Sequence, residues 1–544
     1  MTIDPGPDVR PSTSSRRAAL GLGLSLGGGL AVAGLAPALP AAAAPAARTP
    51  AFPLATVLPV TISDLAEGLD LESSRYWHLA RRVSPAPTQA LASQIRKAGY
   101  NAWIDKQLAW KKVSDTTSDK LVAKHLSWAT MTTREVERAT NGESWKAGKV
   151  LSISRSWRQL FTKRHLYESM VETMSDHLYI SADGKASSWV AWFDWAVLRK
   201  YALGKYSSML AAAIRHPAML MYLDNHYNSA DNPNENLGRE LLELHTVGVG
   251  HYDEEDVRAS ALLLTGHGID WDTFTYRFHP DEHYLEALQI MDFRAPKRKP
   301  SDGPDVLKAY LSYLAHHEGT AERIARRLAV RYVSDTPSEA LVARLAATYL
   351  DHDTSLAAVM RALLLSEEFL DSVGAKWRRP QEAMTAMVKA RKPTTIEPES
   401  KQTGDLWSIT GNFQWLLYNG NHQPRMWPVV DGYPDQASDW LTTQALLTHW
   451  DNAYAMLFWD GMVEEFPRPS LAKALGVKAG QQAADVAARI TLRLTGYTWP
   501  AAHLERVTTL LIGSEGTKLT ASQIREYLPG AVHFVFTSPY FMLR

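Results

Sequence analysis

Apolar residues recur three and four apart over most of the chain, the period of a helix packed on one face. Over 320–333, Ala321, Ile324, Ala325, Leu328 and Ala329 make one such stripe, with Arg323, Arg326, Arg327 and Arg331 mostly elsewhere on the helix. Over 338–350, Leu341, Val342, Leu345 and Tyr349 repeat it, and Ser338 stands where a hydroxyl would cap the first turn. Leu356, Val359, Met360, Leu363, Leu364 and Phe369 carry the pattern through 355–370. The same period predicts helices over 87–110, 153–178, 188–202, 205–223, 233–247, 253–265, 439–463, 482–495, 500–512 and 520–529. Alternating strand patterns are scarce, with short ones at 273–279 and 286–292. The expected fold is all-α, a large multi-helix body with few short strands. Proline and polar residues break it at 294–304 and 391–404, and the polar stretch 111–124 reads as a connector. The expected division is 48–300 and 301–544, two packed helical lobes.

Residues 1–47 follow another pattern. Arg16-Arg17 lead into an uncharged run over 18–35, rich in Gly, Ala and Leu, and then a Pro/Ala tract. A charged start, an apolar middle and a small-residue exit describe a cleaved export signal. The order Ser15-Arg16-Arg17-Ala18-Ala19-Leu20 points to the twin-arginine route. The translocase of that route is then a partner during export, and the expected location is secreted or attached to the cell envelope. No later stretch is long and apolar enough to predict a membrane span. Gly23-Leu24-Ser25-Leu26-Gly27 fits the G-x-S-x-G pattern of a nucleophile elbow, but it lies within the signal and is discarded.

Composition narrows the chemistry. The 544 residues carry 58 basic and 58 acidic side chains, a balance that argues against a nucleic-acid partner. No cysteine is present, which excludes disulfides, thiolate metal sites and iron–sulfur clusters. No P-loop and no dinucleotide glycine fingerprint occurs.

The stretch 232–248 is the most unusual. Asn232-Pro233 starts a helix and Gly248 stops it. At the α-helical period, Glu235, Arg239, Glu243, Asn236 and Glu240 fall within about 140° of arc, opposite Leu237, Leu241 and Leu244. Two accounts fit. One is a solvated ladder from Glu235 through Arg239 to Glu243, which contributes about 0.2–0.5 kcal/mol per pair. The other is an inward polar wedge, with Glu240 and Glu243 as metal ligands or acid–base groups and Arg239 orienting them or an anionic substrate. Spacing alone favours the ladder. His245 lies at the apolar margin, where a histidine is more often a hydrogen-bonded core residue than a ligand. Histidines elsewhere include His177, His216, His226, His267 and His283, without the spacing that fixes two metal ligands on one helix. Trp189, Trp192 and Trp195 run at i, i+3 and i+6, which reads as a core face before a sugar platform. The turn-rich 419–435 stretch either lines a site or plugs a gap between lobes.

In these segments the chain resembles a bacterial family, the domain of unknown function 1800, in its actinobacterial twin-arginine-exported form. The residues that carry the resemblance are His78-Leu79-Ala80-Arg81-Arg82, Asp176-His177-Leu178, Ala202-Leu203-Gly204-Lys205-Tyr206 and His216-Pro217-Ala218-Met219-Leu220. They continue through 234–249, Leu264-Thr265-Gly266, His283-Tyr284, 325–335, Arg378-Arg379-Pro380 and Gly432-Tyr433-Pro434. The resemblance implies export and a helical body but no assigned reaction. It also implies a neighbour, since genes of the family often lie beside those of a second exported family similar to sulfatases or phosphatases. A family signature at 234–249 raises the weight of the inward wedge. This chain departs from the pattern at His267, where the family usually has Trp, and at Thr173-Met174-Ser175, where it has aromatic residues.

The reading that follows is an exported enzyme, metal- or cofactor-assisted, acting on cell-wall or extracellular material. Glu240, Glu243 and Arg239 are its expected catalytic residues. Glu240, Glu243, His245, His177 and His283 are the expected ligands of a divalent metal. The alternative is a non-catalytic envelope scaffold, or a partner subunit of a co-exported enzyme.

Overall fold

Polar caps before apolar runs set where the helices begin. Ser338 accepts from the Leu341 N–H at 3.2 Å and starts the helix Glu339–Asp351. Asp253 and Asp256 form a reciprocal capping box at the start of Glu254–Leu263. The computed structural model describes residues 73–392, 406–459, 470–513 and 516–544, without the side chains of 406–412. The chain divides into Met1–Pro59 and Val60–Arg544. Every described residue belongs to the second unit, so the expected export signal lies outside the described residues.

The body is helical, with two small antiparallel hairpins as its only sheets among the described residues. His267–Asp270 pairs with Thr275–Phe278, and Leu288–Ile290 pairs with Phe293–Ala295. The expected long helices are subdivided at identifiable residues. Gly99, at φ +85°, separates Gln89–Ala98 from Tyr100–Leu108. Pro217 starts a new helix after Tyr206–Ile214. Thr162 and Lys163, held by Asp115, separate Lys146–Phe161 from His165–His177. The stretch read as a connector contains a helix, Thr116–His125. Ala521–Phe536 runs past the expected end and keeps Pro529 inside it.

One hydrophobic core extends from Leu79 to Leu543. Glu318–Tyr332 packs along Glu339–Asp351, and Tyr206–Ile214 packs across position 300 onto Gly303–His316. The helix His165–His177 lies deepest, with every residue from Leu166 to His177 buried. It is not apolar. Glu168, Glu172 and Asp176 line up at i, i+4 and i+8, and each finds a buried arginine. Glu168 accepts two bonds from Arg199 at 2.9 Å. Glu172 and Asp176 both accept from Arg379. Arg331, only 2% exposed, bridges Glu382 at 2.6 Å and Asp435 at 3.0 Å. Asp194 is gripped by Arg155 and Arg199. No helix of the described residues is long and apolar enough to cross a membrane.

Candidate functional site

The helix Asn236–Glu240 is short because it widens into a π-helical turn, Leu241–His245. Leu237, Leu241 and Leu242 are fully buried and fix one side of it. Gly238 brings it against Glu254–Leu263, close enough that an added Cβ would lie 2.9 Å from the Ala261 nitrogen. The widened turn rotates each residue less than an α-helix does, so the 100° wheel fails after Glu240. Of the expected ladder, only the Glu235–Arg239 pair forms, at 3.4 Å. Arg239 turns its fork to Glu254, with bonds of 2.9 and 2.7 Å, and Glu243 accepts from the Tyr252 hydroxyl at 3.0 Å.

Glu240 is left half-buried beside Glu243, Tyr222 and Asp431. Burial, and then the neighbouring Glu243 charge, push its carboxyl up to about 7, against the pull of Arg239. Burial and the bond to Glu243 push the Tyr252 hydroxyl up to about 12. A carboxyl raised to near neutrality in a half-buried position beside a second carboxyl is a candidate acid–base group. Asp431 acts on Glu240 through its charge, from a loop that is pinned from behind. Gly432, at φ +76°, lies so close to the Asp176 backbone that a Cβ would sit 2.2 Å from the Asp176 carbonyl. Asp435 then ties the loop to Arg331 and Arg379. The 419–435 stretch is thus packed against the buried ion pairs through Gly432 and Asp435.

The expected metal ligands separate into three places. His177 and His245 meet in the core, with ring centroids 6.4 Å apart. His245 Nδ1–H donates to the His177 carbonyl at 3.2 Å, and His177 Nε2 lies 3.3 Å from the His245 carbonyl and 2.9 Å from the Tyr206 hydroxyl. Burial, followed by Arg327 and Arg323, lowers His177 well below the usual imidazole range. Burial likewise lowers His245, to about 4, so both rings are neutral near pH 7. They clasp two backbone segments together. His283 belongs to a different cluster, where Nδ1–H donates to the Thr265 carbonyl at 2.8 Å and its ring meets His267 at 5.7 Å. Glu240 and Glu243 stand on the half-buried flank with tyrosines around them. Among the described residues, no group of three or more His, Asp or Glu side chains could hold a metal ion. The five-residue ligand set is therefore corrected to an acidic pair, a histidine clasp and a separate imidazole.

The tryptophan run diverges as well. Trp189 is buried, Trp192 packs on His216 at 4.5 Å, and Trp195 is 44% exposed. A second π turn, Asp194–Leu198, rotates the third ring away from the other two.

Spacing did not single out Tyr222, Tyr252 or the buried ion pairs. A signal for the latter was present, because Arg331 falls on the same face as Ile324 and Leu328, where a solvated arginine would not stand. Several segments carrying the family resemblance converge here: Asp176, Arg331, Arg379 and Gly432 all meet at the ion-pair cluster. Residues 78–543 match the family model described as a protein of unknown function (DUF1800). The chain belongs to that family. Comparison of this DUF1800 protein with curated proteins gives no match, and neither does comparison with solved structures.

Proposed function

We propose that this DUF1800 protein is an exported enzyme that acts on cell-wall or extracellular material by acid–base chemistry at Glu240. The raised carboxyl of Glu240 beside Glu243 is the observation that carries the reading. At neutral pH Glu240 holds or releases a proton readily, and Glu243 beside it accepts from the Tyr252 hydroxyl. Arg239, its fork held by Glu254, acts on Glu240 through its charge. Support for export rests on Arg16-Arg17 and the uncharged run after them. Changing both arginines to lysine is expected to leave the full-length protein in the cytoplasm, measured by cell fractionation.

The activity test uses purified protein incubated with a cell-wall preparation, measuring released soluble fragments. Glu240→Gln is expected to lower release by about 10²–10⁴-fold without any loss of stability. Equal release by the wild type, Glu240→Gln and Glu243→Gln would reject the reading.

A second reading, a scaffold or partner subunit for a co-exported sulfatase- or phosphatase-like enzyme, is favoured by the loop beside Asp431. Its Met426, Val429 and Val430 are 40%, 50% and 36% exposed, an apolar tip suited to contact with another protein. Under that reading Val429→Ser with Val430→Ser releases a co-purifying enzyme, while Glu240→Gln changes nothing.

A further inference from the structure

Away from Glu240, a pocket of about 590 Å³ opens between the helices Gln89–Ala98, Pro380–Ala390 and Ala483–Thr495. Lys389, Lys392 and Arg493 line it, together with Thr88, Gln89 and Ser93, and among the described residues no acidic side chain does so. Three cations around one space repel one another, and a fold normally answers such a cluster with carboxylates. Here it does not. Lys392 is lowered by burial and then by Arg493, and Arg493 by burial and then by Arg489. Lys389 is lowered by burial as well, and its ammonium donates to the Leu160 carbonyl rather than to an acid. The one carboxylate that acts on Lys389, Asp115, accepts from Thr162 and the Lys163 N–H and lies outside the pocket lining. The rest of the wall mixes polar Thr88, Gln89 and Ser93 with apolar Pro87, Ala390 and Leu494. Thr88 caps the helix through the Leu91 N–H at 3.1 Å, and Gln89 begins a first turn whose N–H groups have no acceptor within the helix.

We propose that this pocket binds a phosphate group, with Lys392 and Arg493 as the charges that hold it and Lys389 at the inner wall. Arg493 supplies a planar fork suited to two phosphate oxygens, and the lysines act as point charges. The group is carried either by a soluble phosphate or phosphoester or by the headgroup of an anionic lipid. The site stands independently of the Glu240 reading, because none of its residues touches that helix.

The test titrates full-length purified protein with inorganic phosphate at constant ionic strength, by calorimetry. In parallel it measures binding to phosphatidylglycerol vesicles and to phosphatidylcholine vesicles. Lys392→Gln, Arg493→Gln and the double variant are compared with the wild type. Saturable phosphate binding, weakened at least tenfold in the double variant, supports a soluble ligand. Binding to phosphatidylglycerol alone, lost in the double variant, supports a lipid headgroup. No binding to either probe, or binding unchanged in the double variant, overturns the proposal. Melting temperature in phosphate-free buffer gives a second readout. Relief of repulsion is expected to raise it in both single variants, and a fall would assign the cations to the fold instead and overturn the site.

Discussion

Glu240 owes its titration to water excluded on one side and to Glu243 three residues on. In the unfolded chain its carboxyl returns to the ordinary value of 4.5, whereas in the folded protein it keeps its proton up to about 7. Between those values the folded state binds more protons than the unfolded one, so this residue's contribution to stability falls as pH rises. Glu240→Gln removes that dependence while keeping size and shape. The variant is expected to match the wild type at pH 4 and to exceed it at pH 8 by about 1–2 kcal/mol, allowing for screening at a half-buried site. Urea unfolding at the two pH values measures this. A loss of stability at pH 8 would show that the ionised carboxylate is held by a partner, and the acid–base assignment would fail.

A single element places that carboxyl, and its geometry depends on Gly238. With a Cβ 2.9 Å from the Ala261 nitrogen and 3.1 Å from the Val257 carbonyl, the two helices must separate, because backbone atoms cannot rotate away. Gly238→Ala is expected to cost about 1–3 kcal/mol and to move Glu240 toward water. Its apparent pKa, followed by carbonyl-labelled NMR, should then fall toward the ordinary value; an unchanged value would separate the titration from this packing. This element also marks how far the sequence could be read. Period and caps identified the helical class and most helix positions, because burial of one face leaves a repeating trace. The π turn left none, since the sequence Leu241-Leu242-Glu243-Leu244-His245 continues an α pattern without a break. The wheel therefore joined Glu243 to Arg239, whereas the structure gives it to Tyr252. Arg326 and Arg331 show the same difficulty on one helix. Arg326 forms the exposed ladder with Glu322 and Glu339, and Arg331 runs into the interior to Glu382 and Asp435. Only tertiary partners distinguish them.

Across the whole molecule, charges from distant parts of the chain close on His165–His177, and Arg379 is their common cation. It reaches Glu172, Asp176 and Asp435, at 1% exposure, so its removal leaves carboxylates buried beside one another. Arg379→Met is expected to destabilise by about 3–5 kcal/mol, the cost of breaking a buried pair on one side. Arg379→Lys should recover little, because an ammonium cannot span three acids as a guanidinium fork does. The same cluster sets the acid limit. Against burial, which would raise it, Arg155 and Arg199 hold the Asp194 carboxyl down at about 2. Arg331 and Arg544 likewise hold Glu382 well below its usual range despite burial. For such groups the unfolded chain binds the proton first, so their stabilisation is complete above the ordinary carboxyl values and is lost as pH falls toward 2. Glu240 acts with the opposite sign at higher pH, so the two effects can be separated in one stability profile. Wild-type stability should rise steeply from pH 2 to pH 4 and keep rising toward pH 6.5, because buried histidines such as His177 and His245 are lowered in the fold and the unfolded chain takes up those protons first. Glu240→Gln is expected to steepen the rise between pH 4.5 and pH 7 relative to the wild type, while Asp194→Asn should flatten part of the acid rise and lower the plateau. Should both variants shift the whole curve in parallel, neither carboxyl titrates as its surroundings in the fold require.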